Sequence, residues 1–246
     1  MALTAPPATQ ALLLDLQQLD TDLQRLAHRR RTLPEQAAVE TLQGQTDALR
    51  QTLSDRTGEL DDARIELSRV ESDVELVEKR IARDGERLQG SSSVKDIQGL
   101  EHEVASLTAR LSDLEEIELA VMEKVEELEA AVAQARAALD AHAAELAAAT
   151  EARDAAVAGL DGEHRHITAD RETVASKIPE DLLALYEKQR ERYGVGASHL
   201  RARVSSASGV ELTGSDLALV RQAAPDAVLL CPDSNAILVR TDESGL

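Results

Sequence analysis

Apolar residues recur at alternating intervals of three and four along two long tracts of the chain. That spacing gives each helix one apolar stripe and is typical of coiled coils. The first tract contains Leu60, Ala63, Leu67, Val70, Val74, Val77, Ile81 and Leu88, with Asp84 as a polar interruption. The second contains Ile97, Leu100, Val104, Leu107, Leu111, Leu114, Val121, Val125, Leu128, Val132, Ala135, Leu139 and Leu146, interrupted by Glu118 and His142. The pattern therefore predicts two long coiled-coil helices.

A short polar segment, residues 90–96, separates the two tracts. Gly90 can end one helix, and Ser93 followed three residues later by Asp96 resembles a capping box. Because a short connection forces neighbouring helices to lie antiparallel, we predict a helical hairpin with its apex at residues 90–96. The predicted seam pairs Leu88 with Ile97 and Leu60 with residues 125–128.

Further helices are predicted on both sides of this hairpin. The spacing of Leu12, Leu16, Leu19, Leu23 and Leu26 predicts a helix that begins near residue 9 and bends or breaks near Pro34. Two glycines in a polar stretch, Gly159 and Gly162, predict a loosening or bend after Leu146. A shorter helix is expected from Pro179 to about Tyr193, closed by Gly194.

The last fifty residues have a different character. Apolar runs at residues 228–230 and 237–239 flank a turn, and residues 215–223 form a helix candidate, which together predict a small α/β unit. The predicted fold is therefore mainly α. It comprises a coiled-coil hairpin at residues 1–178, a connecting helix and glycine linker at 179–196, and a small domain at 197–246.

Composition narrows the function classes. The chain has 46 acidic and 27 basic residues, a net charge of −19, no Phe or Trp and two Tyr. Such a negative charge disfavours the binding of polyanions, so protein partners are expected rather than nucleic acid. No apolar run approaches the roughly 20 residues of a membrane span, no leader pattern is present, and a single cysteine excludes an internal disulfide. We expect a cytoplasmic protein without a membrane anchor, either monomer or homodimer.

Three C-terminal segments, residues 204–212, 224–226 and 231–240, resemble the ribbon of a widespread bacterial family. That family joins a coiled-coil hairpin to a C4-type zinc ribbon built from two Cys-x-x-Cys knuckles. The resemblance continues upstream at residues 14–20, 29–34 and 93–96, so it covers nearly the whole chain. The resemblance implies the same hairpin and ribbon here, with protein-partner and nucleic-acid associations.

The zinc ligands of that family are mostly absent. The four ligand positions implied by the resemblance are Ser205, Ser208, Cys231 and Ser234. A neutral hydroxyl is not a usual zinc ligand, and one thiolate cannot hold the ion, so no metal and no other cofactor is predicted. His199 lies too far before the first knuckle for the usual spacing.

The knuckle turns are expected to survive without metal. Gly209 and Asn235 follow the knuckles and tolerate a positive φ. An apolar set would have to replace the folding energy of the metal. Its members are Val204, Val210, Leu212, Leu217, Val220, Val228, Leu230, Ile237 and Val239.

Basic residues leave two functions open. A possible nucleic-acid or partner contact comprises Arg29, Arg30, Arg31, Arg190, Arg192, Arg201 and Arg203. These arginines could equally form surface ion pairs, and no interleaved aromatics are present to stack on bases. The sequence shows no group of residues arranged for catalysis, and we interpret His164 and His166 as solvated surface residues. The sequence predicts a non-catalytic interaction or adaptor protein, with nucleic-acid binding as the alternative.

Overall fold

The structure is a computed structural model and describes residues 3–246. Four helices account for most of the chain, and a small sheet with one further helix follows them. The elements are α1 (Pro7–Arg31), α2 (Pro34–Gly90), α3 (Val94–Ala175), α4 (Glu180–Tyr193), β1 (Ala197–Arg201), β2 (Val204–Ser205), α5 (Gly214–Gln222), β3 (Leu229–Leu230), β4 (Ile237–Val239) and a 3₁₀ turn (Asp242–Ser244).

Residues 35–151 form one compact unit in which α2 lies antiparallel to the first part of α3. The contacts between the helices fix the register: the Arg64 guanidinium lies 2.6 Å from the Glu129 carboxylate, and the Lys124 ammonium lies 3.0 Å from that of Glu66. This register agrees with the expected pairing of Leu60 with residues 125–128. The predicted hairpin is confirmed.

The apex of the hairpin is shorter than residues 90–96. α2 ends at Gly90, and α3 already begins at Val94, so only three serines connect them. The Ser93 carbonyl accepts the Ile97 amide at 2.9 Å, and the Ser93 hydroxyl lies 3.5 Å from the Asp96 amide. Ser93 therefore caps α3, as the sequence predicts, and Asp96 belongs to the helix.

Two of the three polar interruptions of the apolar stripes, Asp84 and His142, are buried in the hairpin, and Glu118 is half-buried. Nε2 of His142 lies 2.9 Å from the Leu42 carbonyl and 3.3 Å from the Thr46 hydroxyl. Because a carbonyl can only accept, this nitrogen carries a proton and donates it. Asp84 is 5% exposed and pairs with arginines of its own helix. Buried polar groups of this kind specify coiled-coil register.

A second compact unit comprises residues 3–34 and 152–246. Its sheet has the order β2-β1-β4-β3, with β1 parallel to β4 and the other pairs antiparallel. One apolar cluster lies where α1 and α4 meet the sheet and contains Leu13, Leu16, Ile178, Leu182, Tyr186, Ile237 and Val239. A second cluster packs α5 on the sheet and contains Leu200, Leu212, Leu217, Val220, Cys231 and Leu238.

The first described residues join this unit to its last elements. The Ala5 amide donates to the Asp226 carbonyl at 2.8 Å, and the Val228 amide donates to the Leu3 carbonyl at 3.1 Å. The Gln10 side-chain amide donates to Ala5 and Asp226 carbonyls at 2.8 and 3.2 Å. The segment before α1 therefore lies against the chain that leads into β3.

Two expectations from the sequence are wrong. α3 continues as an uninterrupted helix through Gly159 and Gly162, where loosening was predicted, because the buried Leu160 side chain between them holds this part of the helix. Packing outweighs the cost of about 1 kcal/mol per helical glycine. In the predicted apolar set, Val210 and Leu230 are exposed, because Val210 lies outside every strand and Leu230 is the outward-facing residue of the two-residue strand β3.

The remaining helix boundaries follow the sequence. α1 and α2 are separated at Thr32 and Leu33, just before Pro34, and α4 ends at Gly194 in the left-handed region with φ of +83°. Among residues 3–246, no helix is both long and apolar enough to cross a membrane.

Candidate functional site

Two of the four vestigial ligand positions meet in the core of the C-terminal sheet. Ser205 on β2 and Cys231 after β3 are fully buried, and the Cys231 Sγ lies 3.3 Å from the Ser205 Oγ. Ser208 and Ser234 lie nearer the surface and accept the amides of Val210 and Ala236 at 3.3 and 3.4 Å. The fold thus brings Ser205 and Cys231 into direct contact.

The two knuckle turns share one hydrogen-bond pattern. In the first, the Ser205 amide donates to the Val210 carbonyl and the Gly209 amide donates to the Ser205 carbonyl. In the second, Cys231 takes the place of Ser205: its amide donates to Ala236, and its carbonyl accepts the Asn235 amide. Gly209 and Asn235 have φ of +69° and +57°. Each turn therefore closes at a residue with positive φ, as the sequence predicts for Gly209 and Asn235.

The donor set at this position does not fit zinc. The Ser205 hydroxyl is already engaged by the Ser198 hydroxyl at 2.7 Å, and three of the four donors are neutral oxygens. Within residues 3–246, no group of three His, Cys, Asp or Glu side chains is placed to hold a metal ion. Zinc in structural sites takes thiolate or imidazole ligands, so these four residues cannot supply its shell.

Cys231 remains a thiol with an altered acidity. Burial alone would raise the pKa of Cys231, but its hydrogen bonds with the side chains of Ser205 and Ser234 and with the backbone of Ser234 and Asp233 outweigh it. The net result is a lowered pKa of the thiol. The sulfur is thus engaged within the domain, where the thiol donates to the Ser205 hydroxyl oxygen at 3.3 Å.

His199 is directed to a different neighbour. Its Nε2 lies 2.8 Å from the Thr241 hydroxyl. The residue also lines a cavity of about 410 Å³ together with Gln17, Thr21 and Ser206. The imidazole is therefore directed to Thr241 and does not complete the ligand set.

The three arginines at the end of α1 lie beside α3. Arg29 is 3.0 Å from the Glu163 carboxylate, and Arg30 is 2.6 Å from that of Asp161. Arg31 is exposed and makes no ion pair within residues 3–246. Two of these three charges are thus shared with acidic neighbours.

The other four candidate arginines lie apart from this group. Their neighbours are Glu187 for Arg190 at 2.7 Å, the Tyr193 ring for Arg192 at 5.3 Å, Glu243 for Arg201 at 3.0 Å and the Gly245 carbonyl for Arg203 at 3.3 Å. No hydrogen bond or ion pair in the described chain joins them to the arginines of α1. The seven residues do not share one contact network.

A buried carboxylate that sequence reasoning missed joins three helices. Asp20 on α1 is 2% exposed and accepts two hydrogen bonds from Arg171 of α3 at 2.7 and 3.2 Å. It also accepts the Tyr186 hydroxyl of α4 at 2.6 Å, and the Arg190 Nε lies 3.5 Å away. Arg171 is held further by Glu187 at 2.5 Å. This cluster anchors α1 to α3 and α4.

The acidities in this cluster follow from its geometry. The hydrogen bond to Asp20 raises the pKa of Arg171 above its ordinary value, so the guanidinium is permanently charged. Burial, together with the hydrogen bond to Asp20, raises the pKa of Tyr186 and keeps its hydroxyl protonated. Asp20 therefore pairs with a fixed cation and accepts from a fixed donor.

Gln17, one turn before Asp20, fixes the entry to the sheet. Its side-chain oxygen accepts the backbone amides of Gly196 and Ala197 at 2.8 and 3.2 Å. A Cβ on Gly196 would lie 2.4 Å from the Tyr186 ring, so the glycine is required by close approach. Within the segment at residues 14–20 that carries the family resemblance, Gln17 and Asp20 thus anchor neighbouring elements.

The family comparison agrees with this architecture. Residues 16–194 match the CT398-like coiled coil hairpin domain. An uncharacterised protein of Mycobacterium tuberculosis is 35% identical over 236 residues, which is 96% of both chains. An uncharacterised protein of Mycobacterium leprae is 24% identical over 223 residues, covering 90% of this chain and 96% of that one.

Two solved structures share the fold. A Mycobacterium smegmatis protein is 34% identical with a TM-score of 0.82, covering 97% of this chain and 100% of that one. CT398 from Chlamydia trachomatis is 17% identical with a TM-score of 0.60, covering 94% and 97%. The helical hairpin and the family match over residues 16–194 lead to one conclusion: the chain belongs to the CT398-like coiled-coil hairpin family.

Proposed function

We propose that this chain is a non-catalytic interaction protein whose hairpin and metal-free, ribbon-like C-terminal domain present surfaces to protein partners. The supporting observation is a set of large apolar side chains exposed on the hairpin arms. They are Ile65 and Leu76 on α2 and Ile117, Leu119 and Met122 on α3.

These side chains are not needed for the seam between the two helices. Leu76 is 65% exposed and Leu119 is 62% exposed, while the neighbouring seam residue Val77 is buried. The ion pairs Arg64–Glu129 and Glu66–Lys124 place Ile65 and Met122 at one level of the hairpin. Large apolar side chains that stay exposed on so charged a surface are candidate contacts for another protein.

The hydroxyl cluster in the ribbon-like domain supports a function without catalysis. Ser198, Ser205 and Cys231 hydrogen-bond to one another at 2.7 and 3.3 Å. Among the described residues, none of the hydrogen bonds to this cluster comes from an imidazole or a carboxylate. An alcohol or thiol nucleophile needs such a base beside it. A reduced, buried thiol also suits the cytosolic location that the proposal includes.

Photo-crosslinking in native cells tests the proposal. A photoreactive amino acid at Leu76 should yield discrete protein adducts, whereas the same group at the exposed Glu71 of α2 serves as the matched control. Absence of protein adducts at Leu76, or the same adducts from both positions, would contradict a protein-interaction role.

Nucleic-acid binding is the second candidate. It is favoured by Arg31, which is exposed and has no carboxylate partner in residues 3–246. It is opposed by the net charge of −19 and by the acidic partners of Arg29 and Arg30. We expect weak or no binding of RNA or DNA at about 150 mM salt in a mobility-shift assay. Submicromolar binding that Arg29→Glu with Arg30→Glu abolishes would establish this candidate instead.

A further inference from the structure

The tip of the hairpin carries the opposite charge to its arms. Residues 79–100 contain five basic and three acidic side chains. Residues 35–78 contain twelve acidic and four basic side chains, and residues 101–151 contain thirteen acidic and three basic. A positive tip thus ends two strongly negative helical arms.

A cavity of about 570 Å³ lies at this tip between the end of α2 and the start of α3. Four cations line it, together with Leu100 as an apolar wall and three carboxylates. The cations are Arg80, Arg83, Arg87 and Lys95. The volume suits one or a few side chains of a partner.

Asp84 positions two of these cations. The residue is only 5% exposed. Its carboxylate lies 3.2 Å from the Arg87 guanidinium and 3.8 Å from that of Arg80. Glu103 also pairs with Arg80 across the hairpin. The long arginine side chains are therefore held in place before any partner arrives, which lowers the entropy cost of binding.

Two further cations remain uncompensated. Arg83 and Lys95 are exposed, and neither makes an ion pair or a hydrogen bond through its side chain within residues 3–246. Lys95 lies in the first turn of α3, where the helix dipole adds positive potential. Their charges are available to an anion, and guanidinium groups prefer planar carboxylates.

We propose that the tip cavity binds an acidic segment of a partner protein, with Arg83 and Lys95 as the contact residues. The inference rests on the proposed function and names the chemistry of one partner surface. A short acidic segment satisfies the tip alone, whereas an extended nucleic acid would also run beside the acidic arms and be repelled. Residues 35–151 contain no Phe, Tyr or Trp side chain on which bases could stack.

The test measures fluorescence anisotropy of a labelled oligoglutamate peptide titrated with the full chain at low and physiological salt. A single-stranded oligonucleotide of the same formal charge is titrated in parallel. The test variant combines Arg83→Glu with Lys95→Glu. The control combines Arg69→Glu with Arg136→Glu, two exposed arginines of the arms without a partner in the described chain. Both variants change the net charge equally.

We expect the tip variant to weaken peptide binding by about tenfold or more and the control by less than about twofold. Arg83→Gln with Lys95→Gln repeats the test if charge reversal disturbs the helices. Equal losses in both variants, no peptide binding, or tighter tip-dependent binding of the oligonucleotide would overturn the proposal. If the peptide fails while adducts at Leu76 persist, only the tip assignment falls and the interaction role stands.

Discussion

Replacing Asp20 by alanine should destabilise the unit formed by residues 3–34 and 152–246. The change removes the acceptor of two Arg171 hydrogen bonds and of the Tyr186 hydroxyl, and it leaves a buried cation with one carboxylate instead of two. Removing one partner of a buried ion pair costs about 3–5 kcal/mol. Glu187 still pairs with Arg171 at 2.5 Å, so we expect the lower value, about 3 kcal/mol.

Tyrosine fluorescence can measure this effect selectively. The only two tyrosines, Tyr186 and Tyr193, both lie in this unit, and the chain has no tryptophan. A loss of about 3 kcal/mol corresponds to a fall in the melting temperature of about 6–12 °C for a unit of this size. Circular dichroism of the same samples reports the helices of the hairpin as well.

Asp22 provides the control on the same helix. Its carboxylate pairs with the largely exposed Arg25 at 3.0 Å, and exposed pairs contribute about 1 kcal/mol or less. Asp22→Ala should therefore shift the transition by no more than about 2–4 °C. If Asp20→Ala shifts the tyrosine transition no more than Asp22→Ala, the buried cluster does not stabilise the fold as argued.

Four further predictions concern Gly196, Gly159, Tyr186 and the four ligand positions. Gly196→Ala should destabilise the same unit by about 1–3 kcal/mol in urea unfolding, because its Cβ would meet the Tyr186 ring; an unchanged midpoint would contradict that contact. Gly159→Ala should instead stabilise by about 0.5–1 kcal/mol, since its Cβ points into open space on a continuous helix, and a lower melting temperature would refute this. Burial and the hydrogen bond to Asp20 raise the pKa of Tyr186. The neutral hydroxyl therefore stabilises the fold at pH values below the pKa of tyrosine in the unfolded chain, about 10, and the stability should fall as the pH rises above that value. Absorbance at alkaline pH should show Tyr186 ionising only with unfolding; ionisation in the folded chain would contradict this prediction. Metal analysis should find no stoichiometric zinc in the natural chain, whereas restoring three ligands should give zinc binding and a higher melting temperature, and absence of both gains would refute the ribbon ancestry; the substitutions are Ser205→Cys, Ser208→Cys and Ser234→Cys.

Local signals in the sequence were sufficient for the helix boundaries. Pro34, Gly90 and Gly194 end or separate helices through their own backbone chemistry, which acts on immediate neighbours. The same reasoning fails at Gly159 and Gly162, because the burial of Leu160 outweighs the low helix propensity of glycine, which costs only about 1 kcal/mol.

The anchoring cluster could not be predicted from the sequence. Asp20 continues the buried spacing of Leu13 and Leu16, but a polar residue in such a series looks like an interruption until its partner is known. Arg171 lies 151 residues away, and one acidic and one basic residue among many give no sign of pairing. Gln17 lies in a segment that carries the family resemblance, but its hydrogen bond with the backbone amide of Gly196 joins residues 179 positions apart, and no sequence pattern indicates it.

The hydrogen bond between Ala5 and Asp226 can form only late in synthesis on the ribosome. Ala5 cannot meet Asp226 until the intervening residues have been made, which takes about 10–45 s at bacterial elongation rates of about 5–20 residues per second. During that interval the apolar side chains of Leu13 and Leu16 have no sheet to cover them. The nascent α1 is therefore an aggregation hazard, and chaperone capture of the early chain should influence the yield of folded protein.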